Sequence, residues 1–129
     1  MKFGFYDNFR PCLVKGRGVV DITDLVGLGK GVPPQAVLEN LIKNYAKLMP
    51  KLRELEANGK AISFSKVRLR SPVPRPGKVL CGERNYMEDV PIKPIGPMKS
   101  FFKSPEGIVG PGDNIVLPKF QTRVYNHEA

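Results

Sequence analysis

Proline placement constrains this chain more than any other feature of its sequence. Nine of the thirteen prolines stand at or after Pro72. Each removes a backbone donor and fixes its own φ, which ends helices and confines strands to short or edge segments. The chain beyond Ser71 is therefore expected to hold short strands and turns, with no helix longer than a turn near Tyr86 to Asp89. The stiff SPVPRPG run, Ser71 to Gly77, is the best internal boundary. It divides the chain into residues 1–70, a Pro-rich linker 71–77 and a Pro- and Gly-rich part 78–129.

Before the linker the pattern is different. Lys2 to Tyr6, Pro11 to Lys15 and Val19 to Ile22 read as three strands of an antiparallel meander. Asp7-Asn8 and Gly16-Arg17-Gly18 supply the turns between them. Gly27, Gly29 and Gly31 make a connector, and GLGKG lacks the Lys-Ser/Thr ending of a phosphate loop. Pro33-Pro34 then open a helix whose apolar side chains recur at Leu38, Leu41, Ile42, Tyr45, Leu48, Met49, Leu52 and Leu55. Intervals of three and four put these on one face, against the chain's own sheet. Pro50 predicts a kink or break near Leu48, and Asn58-Gly59 a stop. Ile62 and Phe64 alternate, then Val67 and Leu69 alternate in the opposite phase, which calls for a bulge or two short strands.

After the linker, Val79 to Cys81, Ser100 to Lys103 and Ile115 to Leu117 read as strands, and Val124 to Glu128 as the start of another. Gly110-Pro111-Gly112-Asp113 is a tight turn, since Gly accepts positive φ and Pro fixes its own. The expected class is α+β: a small β-meander with one long, kinked helix, followed by further strands.

Composition removes several alternatives. No apolar run approaches the ~20 residues needed to span a bilayer, and the N-terminus lacks a signal peptide, so a soluble, cytoplasmic protein without a membrane partner is expected. Cys12 and Cys81 form no metal-spaced pair, and the single His127 cannot complete a zinc site with them. The net charge is +9. Its densest stretch, Lys60 to Lys78, carries a single aromatic, Phe64, so a stacking surface for nucleic acid is not expected.

Three segments carry a resemblance. KVLCGERNY (Lys78 to Tyr86), SFFKSPEGIVGPGDNIVLP (Ser100 to Pro118) and VYNHEA (Val124 to Ala129) resemble, in order and with similar gaps, the opening of the catalytic domain of the fumarylacetoacetate hydrolase family. The meander, helix and linker resemble the N-terminal module that many members carry. The resemblance implies that residues 78–129 begin the family's mixed β-roll. It also implies a divalent-metal-dependent enzyme acting on a 2-oxo or 1,3-dicarbonyl carboxylate by hydrolysis, decarboxylation, isomerisation or lysis, with a homodimeric parent.

The implied metal motif is Glu-x-Glu. Two carboxylates one residue apart on a strand point to one face and, with a third, can hold Mg²⁺ or Mn²⁺. Glu128 matches the first carboxylate; the second would fall at position 130, so the chain is expected to be truncated and inactive alone. The ion would bind the substrate's carboxylate and carbonyl and stabilise an enolate. Hydrolytic members often place a histidine three residues after the Asn-Tyr pair. Here Asp89 stands there, leaving Glu88 or Asp89 as the candidate general base. Lys103 matches the lysine expected near the substrate carboxylate, and Arg84, Asn85 and Tyr86 are the candidate substrate contacts. His127 would point to the opposite face from Glu128. The competing expectation is a non-catalytic basic binding or assembly module.

Overall fold

The computed structural model describes residues 1–26, 29–83, 99–117 and 119. Strands β1 (Phe3–Tyr6), β2 (Arg10–Lys15) and β3 (Gly18–Asp21) form the expected meander. Three residues join β1 to β2 and two join β2 to β3, because Tyr6 pairs with Arg10 and Lys15 with Gly18. The second turn uses Gly16 at φ +57, where a side chain would be strained. A short helix α1 (Thr23–Val26) follows, then α2 (Pro34–Lys43) and α3 (Tyr45–Asn58).

The long helix is interrupted at Asn44 rather than near Leu48. Asn44 sits at φ −103, ψ 11, outside helical geometry. Its N–H still reaches Asn40 O at 3.0 Å, and Leu48 N–H reaches Asn44 O at 3.0 Å, so the ladder runs past the break. Pro50 lies inside α3, where it removes one backbone donor without ending the helix. The break also divides the apolar stripe. Leu41 and Leu52 are buried, but Ile42 is exposed, since only the Val37–Leu41 side of α2 meets the sheet.

Strands β4 (Ile62–Ser63) and β5 (Leu69–Arg70) pair with opposite edges, giving the antiparallel order β4-β3-β2-β1-β5. A flat sheet of that width would hold its edge strands about 19 Å apart. The five residues between them, one 3₁₀ turn included, reach about that far only if fully extended, so the sheet curls. The phase change between Ile62/Phe64 and Val67/Leu69 is that turn, Phe64–Lys66.

Curling gives the sheet a core on each side. Phe3, Leu13 and Val20 share the face covered by Ile22, Val26, Leu41 and Leu52. Tyr6, Cys12 and Val19 share the other, closed by Ile62, Phe64, Val67 and Leu69. Gly59 ends α3 at φ −60, so it is needed for room rather than for torsion: a Cβ there would lie 2.4 Å from Leu55 O and 2.6 Å from Val20 Cγ1. Lys15 closes the same helix end, donating to Ala57 O at 2.6 Å and Gly59 O at 3.2 Å.

A second, two-stranded sheet pairs β6 (Val79–Glu83) with β7 (Lys99–Lys103). Ile115–Leu117 is not the expected strand: it joins no ladder among the described residues, and Ile115 and Val116 are 79% and 90% exposed. The expected turn at Tyr86–Asp89, strand at Val124–Glu128 and glycine at Gly27 lie outside the described residues.

Candidate active site

The β6–β7 pair is the frame on which the sequence places its chemistry. Its ladder runs from Val79 opposite Lys103 to Glu83 opposite Lys99. Directly opposed residues share a face, so Val79, Cys81, Phe101 and Lys103 lie together, with Leu80, Ser100 and Phe102 on the other side. The Lys103 ammonium sits 5.6 Å from the centre of the Phe101 ring, an attraction to its π face. Lys103 therefore stands on the hairpin as expected, but at the end away from Glu83, about 14 Å along the ladder. Arg84, Asn85, Tyr86, Glu88, Asp89 and Glu128 lie outside the described residues.

Among the described residues no group of three His, Cys, Asp or Glu comes together to hold a metal ion. They do not by themselves make the divalent site that the Glu-x-Glu resemblance implies. Two surface grooves among the described residues, one on α2 between Ala36, Glu39, Ile42 and Lys43 and another along Lys60–Ser63, hold no residue assigned to the chemistry.

The Gly-Pro-Gly-Asp segment is the turn its sequence calls for. Asp113 N–H bonds Gly110 O at 3.1 Å, and Gly112 takes φ +77 behind Pro111. Asp113 also folds its carboxylate back, accepting the Gly110 N–H at 2.9 Å, and takes a charge-assisted bond from the Arg68 guanidinium. Those two contacts, Arg68 first, hold the Asp113 carboxyl below the usual carboxylate range. The turn motif announces the Gly110 contact; nothing local in sequence announces Arg68.

A second polar cluster, which the sequence did not single out, sits at one corner of the meander. Asp21 accepts from the Tyr6 hydroxyl, from Thr23 N–H at 2.7 Å and from Arg10 at 2.5 Å. Burial works against the Asp21 charge, but these partners outweigh it and hold the carboxyl below its usual range. Burial first, then Asp21, pushes the Tyr6 phenol well above its ordinary value. Burial likewise pushes the fully enclosed Cys12 thiol up to about 11, so it is an inert core residue rather than a nucleophile. This cluster is a structural network in which Asp21 is met by its own donors, and the buried Thr23 hydroxyl beside it has no hydrogen-bond partner among the described residues.

No helix among the described residues is long and apolar enough to cross a membrane. No family model matches the chain. Individual proteins do. The chain is 34% identical over 110 residues to a mitochondrial oxaloacetate tautomerase of Bos taurus, covering 80% of this chain and 32% of that protein. It is 36% identical over 90 residues to fumarylacetoacetate hydrolase domain-containing protein 2 of Pongo abelii, covering 66% of this chain and 28% of the relative. The chain thus spans about a third of the length of the curated relatives it matches.

Its fold is similar to maleylpyruvate hydrolase from Sphingobium sp. SYK-6, solved with manganese(II) and pyruvate. The TM-score is 0.78 at 28% identity, over 93% of this chain and 43% of that one. The α+β fold of this chain is thus shared with that enzyme over 93% of its length. Order of motifs, sequence identity and fold agree, and the chain belongs to the fumarylacetoacetate hydrolase family.

Proposed function

We propose that the chain supplies the N-terminal scaffold (residues 1–70), a linker (71–77) and the first catalytic strands (78–129) of a divalent-metal-dependent enzyme acting on a 2-oxo carboxylate. The observation that carries this reading is the likeness, over 93% of the chain, to a hydrolase solved with manganese and pyruvate. The tautomerase relatives favour the same substrate class, because oxaloacetate and maleylpyruvate both carry a carbonyl beside a carboxylate.

Within that class, proton transfer is favoured over hydrolysis. Asp89 stands where hydrolytic members place a histidine, so the water-activating base of those enzymes is replaced by a carboxylate. Glu88 or Asp89 then moves a proton between carbon and oxygen of the oxo acid, a task suited to a carboxylate near its substrate. Arg84 faces the anionic substrate, Asn85 and Tyr86 orient it, and Lys103 meets its carboxylate. Glu128 contributes one ligand to an Mg²⁺ or Mn²⁺ ion, whose remaining carboxylates come from sequence beyond position 129 or from another chain. The Bos taurus oxaloacetate tautomerase is mitochondrial by name, and for this protein we propose the cytoplasm.

The test is a panel assay with Mn²⁺ and with Mg²⁺. The longest natural polypeptide containing this sequence is offered oxaloacetate, for keto–enol exchange and decarboxylation, and acylpyruvates, for C–C cleavage. Metal-dependent exchange of oxaloacetate that exceeds acylpyruvate cleavage is expected. Lys103→Ala should raise KM about tenfold, a loss of ~1.4 kcal/mol of binding, with kcat less affected. Absence of metal-dependent turnover on every 2-oxo acid offered would overturn the reading.

A further inference from the structure

The Gly110–Asp113 turn touches the N-terminal sheet through contacts that the proposed chemistry does not use. They begin in the β1–β2 loop. Asp7 and Phe9 take φ +48 and +58, a region that Asp tolerates but that is costly for a bulky residue such as Phe9 unless it is held there. What holds them is the chain around β5. Asp7 N–H donates to Arg68 O at 2.7 Å, and Arg68 N–H donates to the Asp7 carboxylate at 2.8 Å. Arg70 Nε donates to Asp7 O at 2.6 Å while its guanidinium lies 5.4 Å from the Phe9 ring centre. The Arg68 backbone is thereby fixed on both its polar groups, and its guanidinium extends to Asp113, 45 residues on.

A second, independent feature joins the same two segments. A Cβ built on Gly110 would lie 3.1 Å from Arg70 Cα and from Ser71 N, so the turn packs backbone against backbone on β5. The neighbouring Arg75–Glu106 pair, at 2.5 Å, is open to water on both sides and contributes little. Asp113 differs from it: its side chain is 20% exposed, and its two oxygens are committed to two different partners.

We propose that Arg68 and Gly110 are positioning residues that lock the Gly110–Asp113 turn onto β5. The N-terminal sheet thereby fixes the course of the chain through Gly110–Asp113, and is part of the scaffold of the proposed catalytic part rather than a separate appendage. The importance of that course for catalysis rests on the function proposed above; the lock itself does not.

Amide hydrogen exchange on the 129-residue chain tests it, read at Gly110 and Asp113 with the amides of β1–β3 as reference. Arg68→Ala and Gly110→Val should each speed exchange at the turn about tenfold with β1–β3 unchanged. Arg68→Lys, which keeps the charge, should recover part of the protection, and Arg75→Ala should change nothing. Turn amides that exchange as in the parent in both Arg68→Ala and Gly110→Val overturn the proposal. So does equal loss of protection in β1–β3, which would make these residues general supports of the fold. No substrate enters the measurement, so the lock and the proposed reaction stand or fail separately.

Discussion

Asp21 illustrates how far a single side chain can be understood from its neighbours. It lies on the sheet face that Cys12 and Tyr6 occupy, and three groups from three segments converge on its carboxylate. Sequence could show only that an aspartate ends a strand; the partners Tyr6 and Arg10 become neighbours because the three-residue β1–β2 loop puts them opposite each other. The sign of its effect on stability follows. Its folded pKa lies below the unfolded value of about 3.8, so the stabilisation is fully present above that value. It is lost as pH falls through the lower, folded value. Urea midpoints measured from pH 6 to pH 2.5 should decline below about pH 4 in the parent protein. Asp21→Asn should be less stable at pH 6 by about 1–2 kcal/mol, with a shallower acid decline. Parallel declines in the two proteins would assign the acid sensitivity elsewhere.

At the scale of elements, local patterns were legible where they concern neighbours in sequence and failed where packing decides. The meander's turns were readable because Gly16 and the Asp7-Asn8 pair are residues that tolerate positive φ. The helix was readable from its three-and-four spacing, but the side Ile42 would show was not, because the break at Asn44 reorients one half against the other. Ile115–Leu117 has the composition of a buried strand, yet strand formation requires a partner, and among the described residues it has none. Gly59 is a similar case. Its place after Asn58 suggested a helix stop, and α3 does end there, but the structure also uses its lack of a side chain to bring the end of α3 onto Val20. Gly59→Ala should therefore destabilise the fold by about 1–3 kcal/mol through overpacking, seen as a lowered urea midpoint with unchanged slope. An unchanged midpoint would mean that α3 can shift away from β3 at no cost.

The described residues form two sheets, and they differ in what their sequences disclose. The first is closed on both faces by its own chain, from the helices and from residues 62–69. The second is a hairpin with Leu80 and Phe102 in the open, and a hairpin alone is marginally stable in water. The family was legible because three motifs stand in order across residues 78–129, and similar proteins confirm it. The fold class was legible from strand and helix periodicity. The joint between the Gly110–Asp113 turn and the first sheet was not, since Arg68 and Asp113 belong to separate patterns and lie 45 residues apart. Of the residues assigned to chemistry, Lys103 stands on the hairpin as expected, and the others lie outside the described residues.

The central claim is that this sequence contributes one carboxylate, Glu128, to a shared divalent-ion site. Mn²⁺ binding followed by electron paramagnetic resonance measures that directly. The longest natural polypeptide containing this sequence should bind one Mn²⁺ per chain, and Glu128→Gln should weaken binding at least tenfold (~1.4 kcal/mol). The 129-residue chain alone should show no tight site. Tight binding by the 129-residue chain alone, or equal Mn²⁺ affinity in the parent and Glu128→Gln proteins, would contradict the account.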